Sequence, residues 1–218
     1  LMANFQERIE DIIGAVASVG SDDTAANEQA IQDALQDTAK DIINKARPDM
    51  FMQFATKSSN TTSNPIATDL ENSRIVLVER REDDDTSSLY LSCVFVDASL
   101  QGKIQNPHSI FYATDEAPRW TFNDNDVYIY PEPSASNPAR YYVMENPTIE
   151  HSAESVTKFP DELEHALVLG AAAKLKLRTI TFYNEDEDPE LVSLHRAQYQ
   201  EILAEHNSAL APFIARSE

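Results

Sequence analysis

Five histidines are the side chains best suited to proton transfer or metal binding near neutral pH: His108, His151, His165, His195 and His206. None falls in a His-Glu-x-x-His pair or a Cys/His cluster. Glu164 and His165 are adjacent, so they do not share a helix face, and His195 and His206 stand about three helical turns apart, too far for one metal. They read as helix-face or interface histidines. The single cysteine, Cys93, lies in the apolar stretch Leu91-Ser-Cys-Val-Phe95 and reads as a buried small hydrophobe rather than a reactive thiol. Gly14, Gly20, Gly102 and Gly170 are too scattered for a dinucleotide fingerprint or a phosphate-cradling loop. No Gly-x-Ser-x-Gly elbow is present. Asp124 and Asp126 could pair as carboxylates, but they alternate with asparagine as tight turns do. Asn60-Thr61-Thr62 matches a glycosylation triplet by pattern alone. The sequence therefore predicts no catalytic residue, no metal ligand and no cofactor, and a chain that is not an enzyme.

Charge narrows the partners. The 218 residues carry 17 Lys and Arg against 37 Asp and Glu, a formal net charge of −20. Such a chain repels the phosphate backbone of nucleic acid and an anionic membrane surface alike. No apolar run approaches the ~20 residues that span a bilayer. The excess is spread along the whole length, with no acidic tail. Two dense runs, Glu82-Asp83-Asp84-Asp85 and Glu185-Asp186-Glu187-Asp188, lie between better-patterned segments and read as solvated loops. Neither has the alternating ligands and turn glycine of a calcium loop. One cysteine cannot form an internal disulfide, which suits assembly inside a cell. The start, Leu1-Met2-Ala3-Asn4, lacks the basic-then-apolar order of a signal peptide and reads as a processed or trimmed end.

The elements follow from periodicity. Phe5, Ile9, Ile12, Val16 and Val19 step along one face of a helix over 4–19. Ile31, Leu35, Ala39, Ile42 and Ala46 mark a second helix, stopped by Arg47-Pro48. The strand candidates are 74–79, 89–96, 109–113, 119–122, 126–130 and 140–144, rich in β-branched and aromatic residues. The first two should form a hairpin across the 82–85 acidic run, and Asn123-Asp-Asn-Asp126 should be a tight turn. A polar loop covers 58–65. Pro160 opens a helix with Asp161, Glu162 and Glu164 at its positive end and Lys174, Lys176 and Arg178 toward its negative end. Its middle, 166–173, has small residues that permit close packing. Pro189 opens a last helix whose face is Leu191, His195, Tyr199, Ile202 and His206, antiparallel to the one before. The expected fold class is α+β: an N-terminal helical hairpin over 1–48, a small, mostly antiparallel β unit over 49–150, and a C-terminal antiparallel helix pair and tail over 151–218. The helical parts are expected to form one domain.

This order of segments resembles the head–tail adaptor (connector) proteins of tailed bacteriophages. The resemblance is carried by Ser109-Ile-Phe-Tyr112, Pro118-Arg-Trp120, Val127-Tyr-Ile-Tyr-Pro131, Arg140-Tyr-Tyr142, Pro147, and the run from Phe159-Pro160-Asp-Glu to Lys174. It covers most of 105–210. The chain departs from the pattern in a longer N-terminal helical region and an extended Ser/Asn/Thr loop at 58–64. The resemblance implies a structural virion protein at the head–tail junction, assembled in the host cytoplasm. It implies a homo-oligomeric ring, commonly twelvefold, that binds the portal protein, extends the DNA channel and docks the next neck or tail protein. DNA would pass without specific binding. Within that reading Ala166, Gly170 and Ala173 are expected to permit close packing around the ring. The apolar tail, Leu210, Phe213 and Ile214, either docks on the portal or a neighbour or caps its own helices. Asp83, Asp84, Asp85, Glu185, Asp186 and Glu187 are candidates to line an acidic channel. The alternatives are another neck or tail protein, such as a tail terminator or stopper, and a soluble enzyme with an unrecognised site.

Overall fold

A computed structural model describes residues 3–14, 24–67, 73–82, 89–185 and 189–214. The fold is α+β and divides into two compact units. One unit joins Leu1–Phe54 to Asn146–Glu218; the other is Ala55–Glu145.

The first unit is helical. α1 (Phe5–Ile13) begins with a capping box in which the Glu7 N–H donates to Asn4 Oδ1 at 2.8 Å and the Asn4 N–H donates to Glu7 Oε2 at 3.1 Å. It ends at Gly14, whose positive φ of 80° turns the chain out of the helix earlier than the expected boundary at 19. Val16 and Val19 lie outside the described residues. A nine-residue helix is marginal alone. Phe5 and Ile9 are fully buried, and each burial stabilises α1 by about 2 kcal/mol. α2 (Thr24–Lys45) buries Ile31, Leu35, Ala39, Ile42 and Ile43 at helical spacing. A 3-10 turn (Pro48–Met50) and the single-turn α3 (Phe51–Phe54) follow, and the Phe54 ring meets Phe159 edge-on at 5.6 Å.

α5 (Asp161–Glu185) and α6 (Pro189–Leu210) complete this unit; α4 (Gln101–Ile104) belongs to the other. α5 is the centre. α1, α2 and α6 all pack against it, which is why it is buried around its circumference from Ala166 to Ala173. The first two helices thus find cover chiefly on α5. α5 also runs on past Arg178, through buried Thr179 and Ile180, to Glu185. Lys174, Lys176 and Arg178 therefore sit in the body of the helix, outside the last turn where the macrodipole would favour them.

The second unit is a pair of four-stranded sheets. Its strands are β1 (Ala55–Lys57), β2 (Ile66–Ala67), β3 (Ser73–Arg81), β4 (Tyr90–Ser92), β5 (Val94–Phe95), β6 (Arg119–Asn123), β7 (Asp126–Tyr130) and β8 (Ala139–Glu145). One sheet has the order β1-β8-β3-β4, the other β2-β7-β6-β5. Val78 and Ala139 from the first and Ile66, Val127 and Ile129 from the second share one core, with Cys93 among them. β3 and β4 form the expected hairpin. The chain then changes sheets at Cys93: its N–H still donates to the Val78 carbonyl, whereas the Val94 N–H donates to that of Pro118. β5 consequently pairs parallel with β6, the one parallel pair among the described strands. Asp124 and Asn125, both at positive φ, make the two-residue turn between β6 and β7.

Residues 109–113 are not a strand. The Phe111 N–H donates to Ser109 Oγ, the His108 N–H to Asn106 Oδ1, and the Tyr112 N–H to the Ser109 carbonyl. These local bonds replace a ladder with a turn. The turn follows the 3-10 segment Ala98–Leu100 and the short α4 (Gln101–Ile104), and it covers a second small core of Val96, Ile104, Ala113 and Tyr130.

Candidate functional site

His151 faces Glu28 at 3.9 Å, His165 faces Glu205 at 3.7 Å, and His195 Nδ1 lies 3.4 Å from Gln198 Oε1. Among the described residues no three His, Cys, Asp or Glu side chains are grouped to hold a metal ion. Cys93 is buried, and burial pushes its thiol up to about 12, so it is no thiolate near neutral pH. No helix among the described residues is long and apolar enough to cross a membrane.

Close packing in the helical unit is found where α2, α5 and α6 meet. A Cβ on Gly170 would collide with Thr38 Cγ2 and lie 2.7 Å from His206 Cε1. Only glycine leaves room for both neighbours. Thr38 is held by its hydroxyl, which donates to the Ala34 carbonyl at 2.7 Å. His206 is held by Nδ1, 2.8 Å from the Ala166 carbonyl; because a carbonyl only accepts, Nδ1 carries the proton. Burial lowers the His206 pKa below the ordinary histidine value. The bond to Ala166 and the charge of Asp41 oppose that shift, while Lys45 and Lys174 reinforce it. A cleft of about 310 Å³ opens here, lined among others by Lys45, Lys174, Tyr199, Leu203 and Leu210. Lys174 forms an ion pair with Asp41 at 2.9 Å. Lys176 is buried, which lowers its pKa.

These contacts account for several residues singled out from the sequence. Ala166 and Ala173 are buried, and Gly170 is met by Thr38 and His206 of its own chain. All three thus lie against neighbours within the chain. Leu210 is buried, the Phe213 carbonyl accepts from the Arg47 N–H at 3.0 Å, and Ile214 forms an antiparallel bridge with Ala46. The tail folds back along the end of α2, leaving the Phe213 and Ile214 side chains half-buried. Asp83, Asp84, Asp85, Asp186 and Glu187 lie outside the described residues, and Glu185 is the last residue of α5.

The surface that sequence reasoning missed is on the β unit. Leu89, Val94, Phe95, Ile110 and Tyr112 are exposed there, Ile110 at 87%. Single exposed apolar residues are ordinary, whereas several together are a feature of surfaces that meet other proteins. The order has identifiable causes. The Arg119 guanidinium donates to the carbonyls of Ile110 and Tyr112, at 3.2 and 3.4 Å, and pins the turn. Phe95 packs edge-on against Trp120 at 4.9 Å. Arg140 forms an ion pair with Glu79 and stacks on Tyr90 at 3.7 Å, tying β8, β3 and β4 together. Buried Arg80 reaches Asp115 at 2.8 Å, although its Nε has no partner. The one signal in the sequence was an absence of charge from 86 to 96 in a chain that is 25% charged.

The described surface exposes apolar side chains of the kind found where proteins meet one another. Comparison with known proteins agrees in kind. No curated protein matches the sequence. The model of the family described as SU10 adaptor protein matches residues 5–216, nearly the whole chain. The chain therefore belongs to the SU10 adaptor protein family, a family of phage head–tail adaptors.

Proposed function

We propose that this chain is a structural protein of the virion neck. It forms a ring, twelvefold in the form the family resemblance suggests, that binds the portal protein at the head–tail junction. The ring extends the DNA channel and presents a docking surface to the next neck or tail protein. The observation that carries this reading is the family match along 5–216. The net charge of −20 supports it, because an acidic wall repels a passing polyanion instead of retaining it. In this reading the carboxylates of Asp83, Asp84, Asp85, Glu185, Asp186 and Glu187 face the channel, and Phe213 and Ile214 add contact area toward the portal or a neighbouring copy.

Negative-stain microscopy of the purified chain, alone and mixed with portal, tests the reading. Rings stacked on portal are expected. A chain that never adds to portal, or that is captured by tail tube instead, overturns it, the latter in favour of a tail terminator. A monomer before portal is added does not count against it, since assembly depends on concentration and partner.

A further inference from the structure

Each sheet of the β unit has two terminal strands, and they fall into two pairs along the chain. β1 and β2 end the two sheets on one side and are joined through 58–65; β4 and β5 end them on the other and are joined through Cys93. One continuous run, 55–67, therefore borders both sheets at one end of the sandwich, and another, 89–96, borders both at the opposite end. The first run continues its pairing beyond β1. The Ser58 N–H donates to the Tyr141 carbonyl at 2.8 Å, and Thr61 exchanges backbone bonds with Ala139 at 2.8 and 2.9 Å. Ser59, Asn60, Thr62 and Ser63 are exposed beside it. On the second run, the bonds of Leu89 to Glu82, Cys93 to Val78, Val94 to Pro118 and Val96 to Trp120 fix the alternation. That alternation turns the backbone N–H and C=O of Tyr90, Ser92 and Phe95 outward.

Protein edges of this kind are normally guarded by lysine, proline or a bulge. The 89–96 edge is short, but it has no lysine, proline or other charged side chain and exposes Leu89, Val94 and Phe95, whereas the 55–67 edge carries Lys57 and Pro65. Charge selects the occupant. In a chain of net charge −20, self-repulsion between copies is least where carboxylates are sparse. From 55 to 67 the one ionised side chain is Lys57; from 89 to 96 there is none, and Asp97, just past that edge, is held in its charged form by Ser99 hydrogen bonds. The two edges are thus nearly neutral, with Lys57 on one and Asp97 directly after the other, and at opposite ends of the same two sheets.

We propose that copies of this chain join head to tail by strand addition, the 89–96 edge of one copy pairing with the 55–67 edge of the next. A heterologous contact of this form, repeated, closes a ring. The inference rests on the ring reading above and names the seam between its subunits.

Two single-cysteine additions test it, Phe95→Cys in one preparation and Thr62→Cys in another, mixed under oxidising conditions. A disulfide-linked heterodimer is expected, with neither preparation cross-linking to itself as efficiently. Phe95→Lys should raise the concentration for half-assembly at least about tenfold, the loss typical of one central apolar contact. The circular dichroism of the monomer should stay unchanged. Thr62→Glu combined with Phe95→Lys should recover part of that loss. Rings of the unmodified chain with no cross-link, and full assembly of Phe95→Lys, overturn the seam and leave the ring reading standing. Cross-linking of the Phe95→Cys chain to portal or tail protein rather than to a second copy likewise overturns it. An unmodified chain that forms no oligomer at any concentration, with or without portal, overturns both.

Discussion

Replacing Gly170 by alanine should destabilise the helical unit, although alanine is the better helix former. In an open helix the change gains about 1 kcal/mol from backbone entropy and propensity. Here the added methyl meets Thr38 Cγ2 and stands 2.7 Å from His206 Cε1. Carbon atoms in contact prefer 3.5–4.0 Å, so the neighbours must retreat by roughly 1 Å. Neither is free to do so. Thr38 is β-branched and anchored to the Ala34 carbonyl, and His206 is anchored to that of Ala166. Overpacking of this kind costs about 1–3 kcal/mol, and two anchored neighbours place it near the upper figure. The net loss expected for Gly170→Ala is about 2 kcal/mol, or roughly thirtyfold in the unfolding equilibrium. Urea unfolding followed by helical circular dichroism measures it, with an unchanged slope showing that stability alone has moved. In a Thr38→Ala background, where Cγ2 is absent, the cost of Gly170→Ala should fall by at least about 1 kcal/mol. If Gly170→Ala is as stable as the parent or more so, the three-helix contact is not the constraint described above.

Three further outcomes follow from the same structure. Because burial depresses the His206 pKa, the folded state resists protonation more than the unfolded one, whose histidine titrates at 6.5. Stability should therefore fall as pH drops through 6.5 toward the folded value; His206→Asn, which keeps a donor near Ala166, should flatten that slope in urea titrations at pH 7 and 5.5. Asp115→Ala leaves the buried Arg80 guanidinium without its carboxylate and should cost about 1–3 kcal/mol in thermal unfolding, a loss that Arg80→Met in the same background should largely recover. Cys93, with its thiol pushed to about 12, should react with iodoacetamide at pH 8 roughly 10³-fold more slowly than an open thiol, until urea exposes it.

The elements that the sequence specified well are those whose signals are local. Pro160 with its acidic first turn, and Pro189, mark the starts of α5 and α6, and Asp124-Asn125 marks its turn. The α1 boundary was misjudged because the apolar period continues through Val16 and Val19, whereas Gly14 leaves the helix first. β1 and β2 escaped notice because they are three and two residues long and exist only through partners far along the chain, Tyr142 for Lys57 and Val127 for Ile66. At 109–113 composition favoured a strand, but Ser109 and Asn106 hydroxyl and amide oxygens captured the backbone. The exposed edge left only the uncharged run 86–96 as its mark, for a different reason. Leu89, Val94 and Phe95 have the same side-chain chemistry as buried strand residues, and only the strand order reveals that they stand at the border of a sheet.

The β unit is a single insertion, 55–145, in a helical unit whose two halves flank it. That order has a consequence during synthesis. α1 and α2 leave the ribosome first, yet α5, against which both pack, is complete only after Glu185. At ~5–20 residues per second the nascent helices wait roughly 7–30 s with their apolar faces uncovered. Meanwhile the sandwich has all of its strands by Glu145 and can close before the helices find one another. The chain would therefore fold from its middle outward, and the N-terminal helices are where chaperones should act on it first.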